Sequence, residues 1–201
     1  MQAGQAHARS REHRCKKQVR AHILHSLTPK RHMHIHRLAT PQDLDAVYAI
    51  YMHDEVIPYL GIDPVTRAGF AAELDKLVAS GGFYVVEDDG QIVGFYKIAR
   101  HEGRARHGAY IGTFAVSPDK RGSSLAAAIL NRAIADLQAA GVLRVELMLE
   151  ADNPRACRFY SKLGFVQEGL LKSAYKRGSD AHYTDEILMA KYLLPLNVAT
   201  S

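Results

Sequence analysis

Phe114-Ala115-Val116-Ser117-Pro118-Asp119-Lys120-Arg121-Gly122-Ser123-Ser124-Leu125-Ala126 is the stretch on which the reading of this chain turns. A β-branched and aromatic run ends at Ser117-Pro118, a Lys-Arg-Gly-Ser-Ser loop follows, and a long Ala/Leu/Ile segment predicts a helix from about Ser123 to Ala140, stopped by Gly141. The first turn of such a helix offers backbone N–H groups without intrahelical partners and the positive end of the macrodipole. Small side chains there allow phosphate oxygens to approach the backbone, so an anion site of pyrophosphate type is one physical expectation. The other is an ordinary strand–turn–helix whose serines act as caps.

A second stretch stands about thirty residues downstream: Asn153-Pro154-Arg155-Ala156-Cys157-Arg158-Phe159-Tyr160-Ser161-Lys162-Leu163-Gly164-Phe165. Asn153 suits an N-cap and Pro154 a first helical turn. Ala156, Phe159, Tyr160 and Leu163 fall on one face, and Gly164 suits the C′ position. Packing alone explains that spacing. It does not explain why this helix follows the phosphate-type loop.

Together the two stretches resemble the GCN5-related N-acetyltransferase (GNAT) superfamily. The first resembles its acetyl-CoA-binding motif, Arg/Gln-x-x-Gly-x-Gly/Ala after a strand ending Val-x-Pro, with Arg121, Ser124 and Ala126 at the named positions. Ser124 departs from the usual glycine, which keeps the backbone donors but takes up room. The second is similar to the family's Asn-x-x-Ala-x-x-(Phe/Tyr)-Tyr-x-Lys-x-Gly-Phe pattern. The ending, Glu168-Gly169-Leu170-Leu171-Lys172 and Tyr183-Thr184-Asp185-Glu186, resembles the branch of ribosomal-protein, polyamine and small-molecule N-acetyltransferases.

The resemblance implies an acetyl-CoA-dependent N-acetyltransferase that moves acetyl directly to a primary amine: a small amine, an amino-acid-like compound or a protein N-terminus. It implies two parallel strands, Ala109–Val116 and Arg144–Leu149, splayed around the pantetheine arm. Phe114, Ala115 and Val116 would bond that arm through their backbone. Arg121, Gly122, Ser123, Ser124, Leu125 and Ala126 would hold the pyrophosphate. Asn153 would reach the arm, or serve only as a cap. Tyr160 matches the family's proton donor to the departing thiolate; it could equally be a packed tyrosine with a satisfied hydroxyl. The glutamate that some members use as a base is replaced by Tyr110, which leaves Glu146, Glu87, His107 and His101 as candidates, Glu146 foremost. Tyr48, His53, Glu55 and Tyr59 lie where an acceptor amine would be met. Family members are often homodimers. A non-catalytic acyl-CoA-sensing module is the competing reading.

Elsewhere the patterns predict a short strand at Ile35–Leu38, a helix opened by Thr40-Pro41 and running to about His53, and a second helix over about Thr66–Ser80. A hairpin turning at Asp88-Asp89-Gly90 follows. With strands near Phe165–Tyr175 and His182–Tyr192, the order β-α-α-β-β-β-α-β-α-β-β predicts an α/β (α+β) domain over 33–194. Its mixed, mostly antiparallel sheet of six or seven strands carries about four helices on both faces.

Charge is unevenly spread. The 201 residues carry a formal +5, yet residues 1–36 hold eight Lys/Arg against one acid, leaving 18 basic and 20 acidic side chains beyond. Residues 1–32, rich in His as well, therefore read as a disordered basic extension and 195–201 as a short tail. A nucleic-acid or ribosome contact through the basic extension is the minor reading. No apolar run is long enough to cross a bilayer, and no apolar secretory segment opens the chain, so the expectation is a cytoplasmic protein without membrane contact. Cys15 and Cys157 lie far apart without metal-ligand spacing, so neither a disulfide framework nor a metal site is expected.

Overall fold

The computed structural model describes residues 34–120, 122 and 124–193. The expectations for residues 1–32 and 195–201 lie outside these described residues. Seven strands and four α-helices follow one another in the order read from the sequence: β1 (Ile35–Leu38), α1 (Leu44–Tyr51), α2 (Arg67–Ala79), β2 (Phe83–Asp88), β3 (Gln91–Arg100), β4 (Gly108–Val116), α3 (Leu125–Ala139), β5 (Arg144–Glu150), α4 (Pro154–Lys162), β6 (Val166–Tyr175) and β7 (Thr184–Tyr192). They form one sheet with strand order β1-β2-β3-β4-β5-β7-β6. Every pairing is antiparallel except β4 with β5.

Strand alternation puts a core on each face of this sheet. On one face, Val47, Ile50 and Tyr51 of α1 and Phe70, Leu74 and Leu77 of α2 pack on Phe83, Val85, Phe95 and Ala115. The Tyr51 ring lies 4.9 Å from that of Phe70 and 5.4 Å from that of Phe95. Its buried hydroxyl donates to the Leu60 carbonyl at 2.9 Å, tying the α1–α2 loop to this aromatic cluster. On the other face, α3 lays Ile129 and Ala133 on Val86 and Tyr96, and Leu130, Ile134 and Leu137 on Ala109, Ile111, Val145 and Leu147. Burying each large side chain stabilises the fold by about 1.5–3 kcal/mol. Gly141, at φ +80°, ends the α3 segment as expected.

The first helix differs in detail from its expected form. Pro41–Asp43 make a 3-10 turn before α1 begins. Asp43 draws the chain into that tighter turn: its Oδ2 accepts from the Thr40 amide at 2.8 Å, while Arg37 donates to both carboxylate oxygens at 2.8 and 2.7 Å. Arg37 also donates to Glu87 at 2.7 Å, so one guanidinium joins β1, β2 and the helix entry.

Asp43 is only 8% exposed, and its hydrogen bonds from Arg37 hold its carboxyl below the ordinary value. A lowered folded-state value means that its contribution is complete above the unfolded carboxylate range and is lost as pH falls through the folded one. Asp43→Asn is therefore expected to destabilise the protein by about 1–3 kcal/mol at pH 7. The gap from wild type should shrink below roughly pH 4, as read by denaturant unfolding across pH.

Candidate active site

The site begins where the only parallel pair stops pairing. β4 and β5 run in register through Gly108–Arg144, Ala109–Val145 and Tyr110–Glu146, and no further. β4 continues to Val116 and β5 to Glu150. The cause lies in β4 itself. Between Gly112 and Ala115 the β3 register shifts, so that Thr113 and Phe114 together oppose Tyr96, and Thr113 adopts φ +48°. Such a bulge bends its strand and raises the local twist. The bend takes β4 away from β5, whose far edge stays bound to β7 through Glu150.

The resulting cleft has a volume of about 250 Å³. Phe114, Ala115 and Val116 form one wall, Asn153, Ala156 and Phe159 of α4 the other, and Ala126 at the start of α3 the floor. The Phe114 and Phe159 rings stack across it at 6.3 Å. Five of the expected cofactor residues are thus gathered in one place. Gly122 stands at φ +77° with open space around it, the backbone a loop needs to turn toward a helix start. Ser124 is the exposed N-cap of α3, and its side chain caps nothing in the helix. Leu125 sends its side chain into the core, so only its backbone can face a ligand. Arg121 and Ser123 lie outside the described residues.

Asn153 caps α4 and lines the cleft. Its Oδ1 accepts from the Ala156 amide at 3.0 Å, capping α4, while the residue lines the cleft.

Tyr160 is packed by its ring, with Phe159 at 5.2 Å and Phe165 at 5.8 Å. Its hydroxyl has no hydrogen-bond partner among the described residues. Tyr160 does not itself line the cleft, and Tyr110 and Glu150 act on its hydroxyl electrostatically. Burial pushes its pKa up, which keeps the proton on oxygen at neutral pH.

The face that Tyr160 meets is set by alternation along β5. Val145, Leu147 and Leu149 pack under α3 and α4, so Arg144, Glu146, Met148 and Glu150 point away from them. The expected base, Glu146, sits at the closed end of the splay. It is held by His101 at 2.7 Å and Arg144 at 3.0 Å. Arg144 in turn holds Glu168 at 2.6 Å. Glu87 pairs with Arg37 on the distant β2, and His107 is an exposed loop residue. Tyr110, where a glutamate would stand, lies across Gly112: a methyl group there would meet the Tyr110 ring at 2.5 Å.

The carboxylate near Tyr160 is Glu150, which the sequence reading did not single out. It is 7% exposed at the end of β5, and burial, followed by the nearby charges of Glu186 and Asp152, raises its pKa, with Arg177 opposing. An acid three residues before the Asn153 cap, on the side of β5 away from its apolar positions, was the available signal.

Arg177 closes the upper rim. It donates to Asp152 at 2.8 and 3.0 Å, to Asp180 at 3.2 Å and to the Pro58 carbonyl at 2.8 Å, and its guanidinium lies over the rings of Tyr59 and Tyr175. The α1–α2 loop and the β6–β7 hairpin thereby meet beside the cleft. Of the four residues named for that role, Glu55 and Tyr59 line the cleft. Tyr48 instead donates to the Val65 carbonyl and packs on Phe70, and His53 accepts from the Glu55 amide within its own turn.

A splayed parallel pair facing a helix start is the arrangement of a class of acyl-group transferases, and the comparisons agree. Residues 44–165 match the acetyltransferase (GNAT) family, and the chain belongs to it. An uncharacterized N-acetyltransferase of Bacillus subtilis is 25% identical over 156 residues, spanning 71% of this chain and 85% of that protein. The mycothiol acetyltransferase of Streptomyces coelicolor is 31% identical over 85 residues, and the match spans only 27% of its length. The structure of the ribosomal-protein-alanine N-acetyltransferase from Brucella melitensis superposes with a TM-score of 0.62 at 25% identity, covering 79% of this chain and 99% of that one. Among the described residues no helix is long and apolar enough to cross a membrane.

The two roles of Asn153 separate by substitution. Asn153→Asp keeps the capping oxygen and should unfold within a few tenths of a kcal/mol of wild type, whereas Asn153→Ala should lose about 1 kcal/mol. Chemical denaturation of the two variants measures the difference.

Proposed function

We propose that this enzyme uses acetyl-CoA and transfers the acetyl group directly to a primary amine. The observation that carries the reading is the gap between β4 and β5, whose ladder ends at Tyr110–Glu146 and whose cleft gathers Phe114, Ala115, Val116 and Asn153 with Ala126 at the start of α3. The cleft suits the donor: a narrow, mostly apolar slot fits a pantetheine arm, and the β4 edge beyond Tyr110 carries no β5 ladder, so its backbone can pair with that arm's amides. The Gly122–Ala126 turn then lies where the diphosphate would be held by amides and helix dipole. Asn153 retains its amide NH₂ for the ligand while its oxygen caps α4.

In this arrangement the neutral amine nitrogen attacks the thioester carbonyl carbon. The new N–C bond forms, and collapse of the tetrahedral intermediate breaks the C–S bond. Tyr160 gives its proton to the departing sulfur, and a proton from the acylated nitrogen replaces it. A raised pKa suits this role, because the donor must begin protonated. The acceptor would enter from the face bearing Tyr110 and Glu150, opposite α3 and α4, and meet the acetyl group in the splay.

Tyr160→Phe is expected to lower kcat about 10²–10³-fold while leaving acetyl-CoA affinity within about threefold of wild type. Thiol release with a panel of amines, beside calorimetry with acetyl-CoA, reads both. Full activity in Tyr160→Phe would remove the donor role. Tight binding with no turnover on any amine would favour the acyl-CoA-sensing reading.

A further inference from the structure

β3 and β4 form an antiparallel hairpin, yet seven residues join Arg100 to Gly108, where about two to five would serve. Five of the seven can carry charge: His101, Glu102, Arg104, Arg106 and His107. The stems of this loop are pinned. The His101 amide donates to the Gly108 carbonyl at 3.2 Å, and the His101 ring pairs with Glu146 at 2.7 Å. The amides of Leu143 and Arg144 donate to the His107 carbonyl at 2.8 and 3.3 Å. Between the stems Gly103–Ala105 make a 3-10 turn, which the Arg106 amide closes on the Gly103 carbonyl at 3.3 Å. Arg100 donates to the Arg106 carbonyl at 3.3 Å, which brings a third guanidinium to the tip.

Most other arginines among the described residues are neutralised: Arg37 by Asp43 and Glu87, Arg67 by Asp45, Arg132 by Asp136, Arg144 by Glu146 and Glu168, Arg177 by Asp152 and Asp180. Arg100, Arg104 and Arg106 have no ion pair among the described residues, and Glu102 in the same loop partners none of them. A hollow of about 410 Å³ lies at the tip, lined by Gly103, Arg104 and Arg106. Gly103, at φ +58° with open space around it, puts no side chain into that hollow. Like charges gathered this closely repel, so an anion between them is stabilising. Beyond residue 36 the chain holds 18 basic against 20 acidic side chains. A long polyanion would run from the loop onto that acidic remainder, whereas a compact dianion stays within reach of the arginines. The geometry points to a phosphate-binding site at this tip, filled by a small phosphomonoester or by free inorganic phosphate. Two guanidinium forks supply the paired N–H donors that match phosphate oxygens. The site shares no lining residue with the cleft and does not depend on the acetyl-transfer reading.

Calorimetry on the full chain tests this, with inorganic phosphate and ribose 5-phosphate as probes in chloride buffer of constant ionic strength. The tighter of the two should bind with a Kd on the order of 0.1–1 mM. Arg104→Gln and Arg106→Gln should each weaken it about tenfold or more. Arg106→Lys should weaken it about threefold, because lysine keeps the charge and loses the fork. Tighter binding of ribose 5-phosphate assigns the site to a phosphorylated small molecule, and equal affinity assigns it to free phosphate; both uphold the site. Amide shifts of the nitrogen-15-labelled chain on titration should centre on residues 103–108, which separates this loop from the basic residues 1–32. In chloride alone the Gln variants should melt no lower than wild type, because they remove a repulsion. Absence of binding by both probes, affinity that survives in the Arg104→Gln/Arg106→Gln double variant, or shifts confined to residues 1–32 would overturn the inference. Loss of oligouridylate binding in that double variant, with phosphate binding intact, would also overturn it and give the loop to a phosphodiester strand.

Discussion

One β-bulge governs the rest of the molecule. Where Thr113 turns into the left-handed region and shares Tyr96 with Phe114, β4 loses its straight course, and the parallel ladder with β5 ends after Tyr110 and Glu146. A fully zipped pair would have spent the backbone groups of both strands on each other and closed the sheet over the cleft. Instead, β3 keeps hold of one side of β4 and β7 keeps hold of one side of β5, so the wedge between them is rigid. The sheet remains continuous on either side of the gap, and the two cores beneath and above it can pack without filling it.

That wedge organises the chemistry by joining the two faces of the sheet. α4 packs its aromatic side on the face shared with α3. The cleft-lining residues Phe114 to Val116 and Ala126 lie toward one end of the wedge, and Glu150 and Glu186 border the other. Arg177 then fixes the rim by drawing loop and hairpin together. Three anionic or carbonyl partners and two aromatic rings hold it.

The electrostatics of the site sort by partnership. Glu146, the carboxylate the sequence favoured, is enclosed by Arg144 and His101 and serves the base of the splay. Glu150 stands four residues, two strand repeats, further along β5 and has no ion pair among the described residues.

By itself the sequence determined the element order, the helix ends and the two motif stretches, because these depend on local chemistry: Pro41 and Pro154 at first turns, Thr66 and Asn153 as caps, Gly141 and Gly164 after helices, and alternating apolar residues in the strands. It also marked Tyr160, whose neighbours in the motif are contiguous. It did not reveal the bulge at Thr113, whose left-handed backbone has no glycine to announce it, nor the pairing of Glu150 with Glu186, which stand on strands 36 residues apart in sequence. Which acids are neutralised is a matter of long-range contact: Arg144 with Glu168 and Arg177 with Asp152. Only the folded sheet brings those charges together, because strand register, and not proximity along the chain, decides which side chains share a surface.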